Sequence, residues 1–301
     1  MQRAVIRSAA MWISKGLRAD IVLILITIIW GSSFTLVKKS LVQASPIAFI
    51  ALRFWIAAAV TIACMPRSVL DISRETLGRG LTLSALLLGG FIFQTLGLRG
   101  TTASRSAFIT SMSVLLVPII GYLLFRRRPR SQTLAGVVLA TVGLGLLTLE
   151  RFELAFSYGD LLTFMCAIVF ALHILCLGKY LPVSDFRQLL VLQMGGSAVL
   201  CTLLLPVLES PFLVWDMTFV IYLAVVGILS TGVAFYGQAW AQRFTTPNRT
   251  ALIFSLEPFF AAVFAYAMLG DRLTTKEWVG GALVMVGIVT AEFRRTSEGV
   301  R

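Results

Sequence analysis

Three ionisable side chains, Glu257, Arg53 and His173, lie within long stretches of the chain that carry no other charge. An ionised group at the depth of a membrane is costly, so such a residue indicates a function when its stretch spans a bilayer. Glu257 directly precedes Pro258, which removes a backbone donor and predicts a kinked helix. Its carboxyl group either faces a water-filled cavity, where it binds a cation or carries a proton, or fixes the kink as a structural group. Glu257 is our candidate for ion or proton coupling.

Arg53 and His173 each have a structural alternative. Arg53 follows Pro46 closely, which predicts a shallow position, so its guanidinium either snorkels to the outer interface or pairs with a carboxylate. A clamp for a substrate carboxylate is the third alternative. His173 is the one histidine, and it either satisfies a hydrogen bond in the core or takes part in function. A single histidine excludes a His-Glu-x-x-His zinc site, and we predict no metal site, no cofactor, no catalytic residue and no enzymatic activity.

Aromatic and small polar residues complete the candidate site. Trp30 and Phe34 lie four residues apart, so they share one helix face, and the small residues between them let another backbone approach closely. Packing inside the bundle is the alternative role for each aromatic. Side chains of this kind favour neutral, zwitterionic or aromatic solutes over phosphorylated ones. The predicted substrate-binding residues are Trp30, Ser33, Phe34, Gln94, Phe170, His173, Tyr236 and Gln238.

The elements that position these residues are predicted to be membrane helices. The chain is 58% hydrophobic and 13% charged, whereas a soluble domain carries about 25% charged residues. Most of its uncharged runs reach the length of roughly 20 residues that a bilayer core requires. Only helices and closed barrels satisfy backbone hydrogen bonds in lipid, and the alternation of barrel strands is absent. We predict ten helices, at residues 21–37, 47–65, 81–98, 107–125, 134–149, 161–177, 189–205, 219–240, 251–269 and 278–291.

The basic residues are distributed as a topology signal. Most of the 26 Lys and Arg residues fall into segments that share the side of the N-terminus when the ten helices are threaded in order. Because positive residues accumulate on the cytoplasmic side, both termini are predicted to be cytoplasmic. The net charge of +12 is therefore not interpreted as a nucleic-acid site. The first hydrophobic stretch lacks a small-residue cleavage site, so it is predicted to be helix 1 and not a signal peptide.

The chain also repeats itself. Residues 101–146 align without a gap on residues 245–290, at a constant offset of 144. Apolar composition alone does not readily align threonine, arginine and glutamine at one offset. If each copy holds an odd number of helices, the copies are inverted in the membrane, as in many secondary transporters. Identical pairs include Thr101/Thr245, Thr102/Thr246, Arg105/Arg249, Ser111/Ser255, Gly136/Gly280, Gly143/Gly287 and Gln94/Gln238.

Two groups of residues resemble a known family. Residues 30–34, Trp-Gly-Ser-Ser-Phe, followed by Pro46 and Arg53, resemble the opening of an EamA domain. Residues 255–262, Ser-Leu-Glu-Pro-Phe-Phe-Ala-Ala, followed by Gly270-Asp271, resemble its close. The resemblance covers nearly the whole chain and implies the drug/metabolite transporter superfamily, with two inverted five-helix repeats around a central cavity. The first copy departs from the family at residues 124–129, where Gly-Glu commonly precedes the turn.

The predicted organisation is a cytoplasmic segment at 1–20, a first EamA repeat at 21–149, a second at 150–293 and a cytoplasmic tail at 294–301. We predict an all-α protein of the bacterial inner membrane that works by alternating access. The resemblance implies export of small metabolites, amino acids above all, or of drug-like compounds. A passive channel or facilitator of the same fold is the alternative. The predicted partners are a small-molecule substrate and the lipid bilayer but no nucleic acid, with proton or ion coupling and oligomeric state left open.

Overall fold

The computed structural model describes residues 2–101, 103–126, 131–148, 157–269 and 275–292. Within these ranges the regular secondary structure is helical, and the one β-type pairing is an isolated antiparallel bridge between Ala44 and Leu213. The all-α prediction is therefore confirmed for the described residues. The motif at Gly270-Asp271, the departure at residues 127–129 and the predicted tail at 294–301 lie outside them.

The α-helices follow one another with short connections. In chain order they are α1 (Gln2–Ser40), α2 (Pro46–Cys64), α3 (Arg74–Arg99), α4 (Ala103–Ser111), α5 (Ser113–Phe125), α6 (Ser131–Thr148), α7 (Tyr158–Tyr180), α8 (Phe186–Leu208), α9 (Met217–Val225), α10 (Ala234–Ala241), α11 (Pro247–Phe254), α12 (Glu257–Leu269) and α13 (Thr275–Glu292). A π-helical segment, Val226–Val233, joins α9 to α10. Proline opens α2 and α11, where its missing N–H has no partner to lose.

Seven helical stretches in the described ranges are long and apolar enough to cross a bilayer, and two shorter apolar stretches lie at Ser131–Gly143 and Trp278–Gly287. The protein is a multi-pass helical membrane protein, and the count of ten spans stays a prediction. The first helix differs from its predicted bounds, since α1 begins at Gln2 and not at residue 21. Residues 2–20 contain no proline and a single glycine, Gly16, so the helix can continue beyond the apolar stretch.

The predicted ninth helix, 251–269, is not continuous. α11 ends at Phe254 and α12 begins at Glu257. Pro258 favours the break, because it has no N–H to donate to the carbonyl four residues earlier, at Phe254. The expected kink is therefore an interruption, and it places Glu257 at the N-terminus of α12.

The repeated sequence forms repeated structure. α4, α5 and α6 correspond to α11, α12 and α13, with bounds that match within one residue at the offset of 144. A Cβ added to Gly143 would lie 2.6 Å from the carbonyl oxygen of Gly280, and one added to Gly287 would lie 2.6 Å from that of Gly136. These reciprocal contacts show that α6 and α13 run antiparallel and are related by a local two-fold axis.

Gly143→Ala is expected to destabilise the protein by about 1–3 kcal/mol, because the added methyl group meets backbone atoms of α13. Gly287→Ala should have a similar effect, since its contact is the symmetry-related one. The matched control is Gly195→Ala in α8, where no atom lies within 4 Å of the added Cβ and the helix gains up to about 1 kcal/mol. Thermal unfolding in detergent measures all three, and equal stability of Gly143→Ala and Gly195→Ala would contradict this packing.

Candidate functional site

A small cavity at the centre of the bundle collects most of the predicted residues. Its volume is about 60 Å³, and its wall is formed by side chains from α1, α2, α3, α7 and α10 and from both sides of the α4–α5 and α11–α12 breaks. The predicted residues in the wall are Trp30, Ser33, Phe34, Gln94, Phe170, His173, Gln238 and Glu257. The structure thus brings these eight side chains together, while the substrate-binding role of the first seven and the coupling role of Glu257 stay predictions.

Tyr236 is the exception, and its predicted place in the cavity is wrong. Its side chain is 40% exposed, its ring centroid lies 5.8 Å from that of Phe186, and it borders a separate hollow. Consecutive residues of a helix point about 100° apart. In α10 the cavity face is taken by Phe235 and Gln238, which are three residues apart, so Tyr236 points elsewhere.

Five aromatic rings form a continuous wall of the cavity. The ring centroid of Trp30 lies 5.2 Å from that of Phe235 and 4.8 Å from that of Phe254. The centroid of Phe91 lies 5.4 Å from that of Phe170 and 5.9 Å from that of Phe235. Aromatic pairs prefer tilted and edge-to-face arrangements at such distances. This wall, which we call the aromatic wall, offers an apolar surface to part of a ligand.

Sequence reasoning missed three members of the aromatic wall, Phe91, Phe235 and Phe254. A usable signal exists for the first two. Phe91 lies three residues before Gln94, and Phe235 lies three residues before Gln238, so each pair shares a helix face. Phe254 gives no such signal, because its position depends on where α11 ends.

Trp30 is held in the aromatic wall by a hydrogen bond. Its indole Nε1 donates to the backbone carbonyl of Ser230, at 2.8 Å, in the π-helical segment. Such segments are frequent at functional sites. The next residue, Gly31, lets α1 approach α12 closely, since a Cβ there would lie 2.9 Å from the carbonyl oxygen of Glu257. Trp30 and Gly31 therefore fix α1 against both neighbours.

Arg53 is buried, with 2% exposure, and lines the cavity, so the expectation that it snorkels to the interface is wrong. Its Nε donates to the hydroxyl of Thr231, at 3.0 Å, and its guanidinium carbon lies 4.2 Å from the centroid of the Phe91 ring. These contacts offset part of the cost of burying the guanidinium. Within the described residues no carboxylate pairs with Arg53, so its Nη atoms keep donors for a ligand.

Glu257 is also buried, at 7% exposure, and lines the same cavity. Its carboxyl group forms no hydrogen bond or ion pair within the part of the chain that the structure describes. A carboxyl group that fixed the helix break would bond to neighbouring helices, so the geometry favours the cavity-facing role. The position at the start of α12 suits an anion, because the first N–H groups of a helix are unpaired.

Other polar atoms of the cavity wall also lack partners. The buried hydroxyl of Ser111 and the amide oxygen of Gln238 form no hydrogen bond within the described ranges. A buried polar group without a partner costs about 1–3 kcal/mol, so a ligand that satisfies these atoms gains affinity. Ser113, the repeat counterpart of Glu257, lines the cavity as well. The two copies of the repeat therefore present different chemistry at one symmetric position.

His173 lines the cavity and is bonded internally. Its Nε2 lies 2.8 Å from Oε1 of Gln193, and its ring meets that of Phe235 edge-on with centroids 6.0 Å apart. The structural role expected for a single histidine is thus present, and the bond fixes the ring in the cavity wall. Among the described residues, no group of three or more His, Cys, Asp or Glu side chains could hold a metal ion.

The cavity is too small for an amino acid in this conformation. One water requires about 10–15 Å³ of such a volume, so the space of about 60 Å³ holds only a few waters. A larger ligand requires the walls to separate. The breaks between α4 and α5 and between α11 and α12 lie at the cavity and supply places where the helices can bend.

Comparison with known proteins gives consistent matches. The model of the EamA-like transporter family matches residues 17–149 and 157–291. An uncharacterized transporter of Archaeoglobus fulgidus is 31% identical, over 93% of this chain and 87% of its own. Probable amino-acid metabolite efflux pumps of Salmonella typhimurium and Escherichia coli are 26% and 25% identical, over 91% and 88% of this chain and 96% and 91% of theirs.

A solved crystal structure has the same fold. It superposes with a TM-score of 0.77 at 18% identity, over 92% of this chain and 96% of the solved chain. The family match confirms the resemblance drawn from the sequence and indicates a transporter and not an enzyme. The chain belongs to the EamA-like transporter family.

Proposed function

We propose that this protein is a secondary transporter that exports small zwitterionic solutes, amino acids above all, by alternating access around the central cavity. The observation that carries the proposal is the presence of Arg53 and Glu257 in one cavity, each without a charged partner among the described residues. A guanidinium matches a carboxylate, and a carboxylate matches an ammonium group. A zwitterion carries both a carboxylate for Arg53 and an ammonium group for Glu257. The relatives called probable amino-acid metabolite efflux pumps support the same substrate class.

The proposed topology is ten helices in two inverted repeats, at 21–149 and 150–293, with both termini in the cytoplasm of a bacterial cell. The antiparallel packing of α6 against α13 supports the inversion, because the two helices occupy equivalent places in the repeats. The placement of the basic residues supports the orientation. An odd number of helices in each repeat accounts for both observations.

In the proposed cycle, Arg53 holds the substrate carboxylate, the aromatic wall covers the side chain and Glu257 holds the ammonium group. A proton competes with the ammonium group for the same carboxylate. Protonation of Glu257 from the outside therefore releases the substrate there, and loss of the proton on the inside restores the site. Exchange of one cation for the other couples export to a proton gradient.

We favour a carrier over a passive channel of the same fold because the relatives named for an activity are probable amino-acid metabolite efflux pumps. In this conformation the cavity, at about 60 Å³, is too small to hold an amino acid. Substrate movement then requires the two repeats to rock against each other. The helix breaks beside Ser113 and Glu257 lie where such bending would open the cavity.

Thermal stabilisation of the purified protein by added ligands tests the substrate class. A ligand at 100 times its dissociation constant stabilises the folded state by about 2.7 kcal/mol. Neutral amino acids, the aromatic ones most, are expected to raise the unfolding temperature, and the corresponding amines without a carboxylate to raise it much less. Stabilisation by polyamines or phosphorylated metabolites but not by amino acids would contradict the proposed class.

A further inference from the structure

A second hollow opens on the outer surface of the bundle. It has a volume of about 580 Å³ and lies between the C-terminal end of α2, the start of α8 and the junction of the π-helical segment with α10. Part of its lining is apolar and includes Val60 and the exposed side chains of Val233 and Tyr236. The other part carries two arginines, Arg67 and Arg187. The hollow thus has an apolar side, formed by Val60, Val233 and Tyr236, which we call the apolar track. Its opening, which we call the mouth, carries the positive charges of Arg67 and Arg187.

The two arginines are available to a ligand. Both side chains are exposed, and within the described ranges neither guanidinium forms an ion pair. Arg187 lies with its guanidinium carbon 5.7 Å from the centroid of the Phe186 ring. Asp185 is nearby in sequence, but its carboxylate caps α8 by accepting from the backbone N–H of Arg187, at 2.8 Å. Among the described residues no acidic side chain lines the hollow, so its mouth favours an anion.

Hydrogen bonds stabilise the two turns beside the hollow, one after α2 and one before α8. The amide of Gln188 donates to the carbonyl of Leu70, at 3.0 Å, and Arg79 donates to the carbonyl of Val183 and the hydroxyl of Ser184, each at 3.0 Å. The first bond joins the turn after α2 to the first turn of α8, and the other two join α3 to the turn before α8. Arg67, in the turn after α2, and Arg187, in the first turn of α8, therefore lie on braced backbone at the level where the apolar stretch of α2 ends. That level corresponds to the head-group region of a bilayer.

We propose that this hollow binds one anionic phospholipid, with its phosphate between Arg67 and Arg187 and an acyl chain along Val60, Val233 and Tyr236. A soluble anion would use only the arginines, whereas the apolar track beside them faces the bilayer and matches a chain. Basic pockets between membrane helices suit anionic head groups. The proposed site also accounts for the position of Tyr236, because an amphipathic ring is favoured at the membrane interface.

The bound lipid would contact the outer side of a segment that builds the central cavity. Val233 lines the hollow, while Ser230 and Thr231 of the same π-helical segment hold Trp30 and Arg53. Occupancy of the hollow would therefore stiffen the segment that positions both cavity residues. The lipid site itself does not depend on which solute the cavity binds.

Native mass spectrometry of the full chain in detergent tests the proposal. Titration with phosphatidylglycerol and with phosphatidylcholine should show one site that prefers phosphatidylglycerol by about tenfold or more. The double variant Arg67→Gln/Arg187→Gln should lose this preference. The control Arg18→Gln/Arg74→Gln removes the same charge from exposed positions outside the hollow and should keep it. Val233→Trp, which fills the apolar track and leaves both arginines intact, should weaken binding as well.

Three outcomes would overturn the proposal. Equal loss of preference in both double variants would show general attraction to a basic surface. An unchanged preference in Arg67→Gln/Arg187→Gln would place the lipid elsewhere. Displacement of the lipid by inorganic phosphate, together with full binding by Val233→Trp, would show a soluble-anion site in place of a lipid site.

Discussion

Glu257→Gln is expected to abolish gradient-driven transport while the protein stays folded. The amide has nearly the shape of the carboxyl group, but it neither exchanges a proton nor forms an ion pair with an ammonium group. A hydrogen bond to a charged group contributes about 1.5–3 kcal/mol, which corresponds to roughly a 10- to 150-fold loss of affinity. Little stability should be lost, because the carboxyl group bonds to no described residue. The measurement is the export of labelled amino acid from proteoliposomes under an imposed proton gradient.

Glu75→Gln is the matched control for this variant. It makes the same chemical change in an exposed i, i+4 pair with Arg79, and surface pairs of this kind contribute little. It should transport at the wild-type rate. Gradient-driven transport by Glu257→Gln at the wild-type rate would remove the coupling role and leave Glu257 as a structural group at the helix break.

Arg53→Gln is expected to raise the KM for amino acids by about 10- to 100-fold, because a charge-assisted hydrogen bond to the carboxylate is lost. The effect should be confined to substrates that carry a carboxylate. Transport of an amine with the same side chain but no carboxylate should change little. That contrast separates a binding role from a structural one, since a distorted cavity would impair both substrates.

Arg53→Lys serves as the graded comparison. Lysine keeps the positive charge but loses the planar group over Phe91 and the Nε bond to Thr231, so its KM should be intermediate. An unchanged KM in Arg53→Gln, or an equal rise for the amino acid and the amine, would show that Arg53 does not hold the carboxylate.

The helical fold and the repeat could be predicted because their signals are local or lie within the chain itself. An uncharged run of sufficient length has few alternatives to a membrane helix. A constant offset aligns Gly136 with Gly280 and Gly143 with Gly287. In the structure these four glycines form reciprocal contacts between α6 and α13. Hydropathy marks the apolar part of a helix but not its end, which is why the start of α1 was placed too late.

Most of the predicted site residues lie in the cavity, because polar and aromatic groups in a membrane bundle converge on few places. The predicted place of Tyr236 in the cavity is wrong, and helix geometry applied to the sequence alone explains why. Gln238 and Tyr236 are two residues apart, so they cannot share a helix face. The helix face that carries Gln238 also carries Phe235, and it does not carry Tyr236.

The depth of Arg53 could not be predicted from its sequence neighbours. Its burial depends on Thr231 and Phe91, which lie in other helical segments. Thr231 belongs to a π-helical segment that no local sequence pattern predicts. Depth along a helix was inferred from the distance to Pro46, whereas tertiary partners decide whether a guanidinium is tolerated below the interface. The same holds for Phe254, whose place follows from the helix break.

Counterflow in proteoliposomes tests the central claim, carrier-type transport of amino acids, most directly. Vesicles are loaded with an unlabelled neutral amino acid and diluted into a trace of the labelled one, with no ion gradient. The expected result is a transient accumulation of label that saturates with concentration and disappears when the protein is omitted. Flux that neither saturates nor accumulates label would indicate a passive channel, and the lack of protein-dependent exchange for every amino acid would contradict the proposed function.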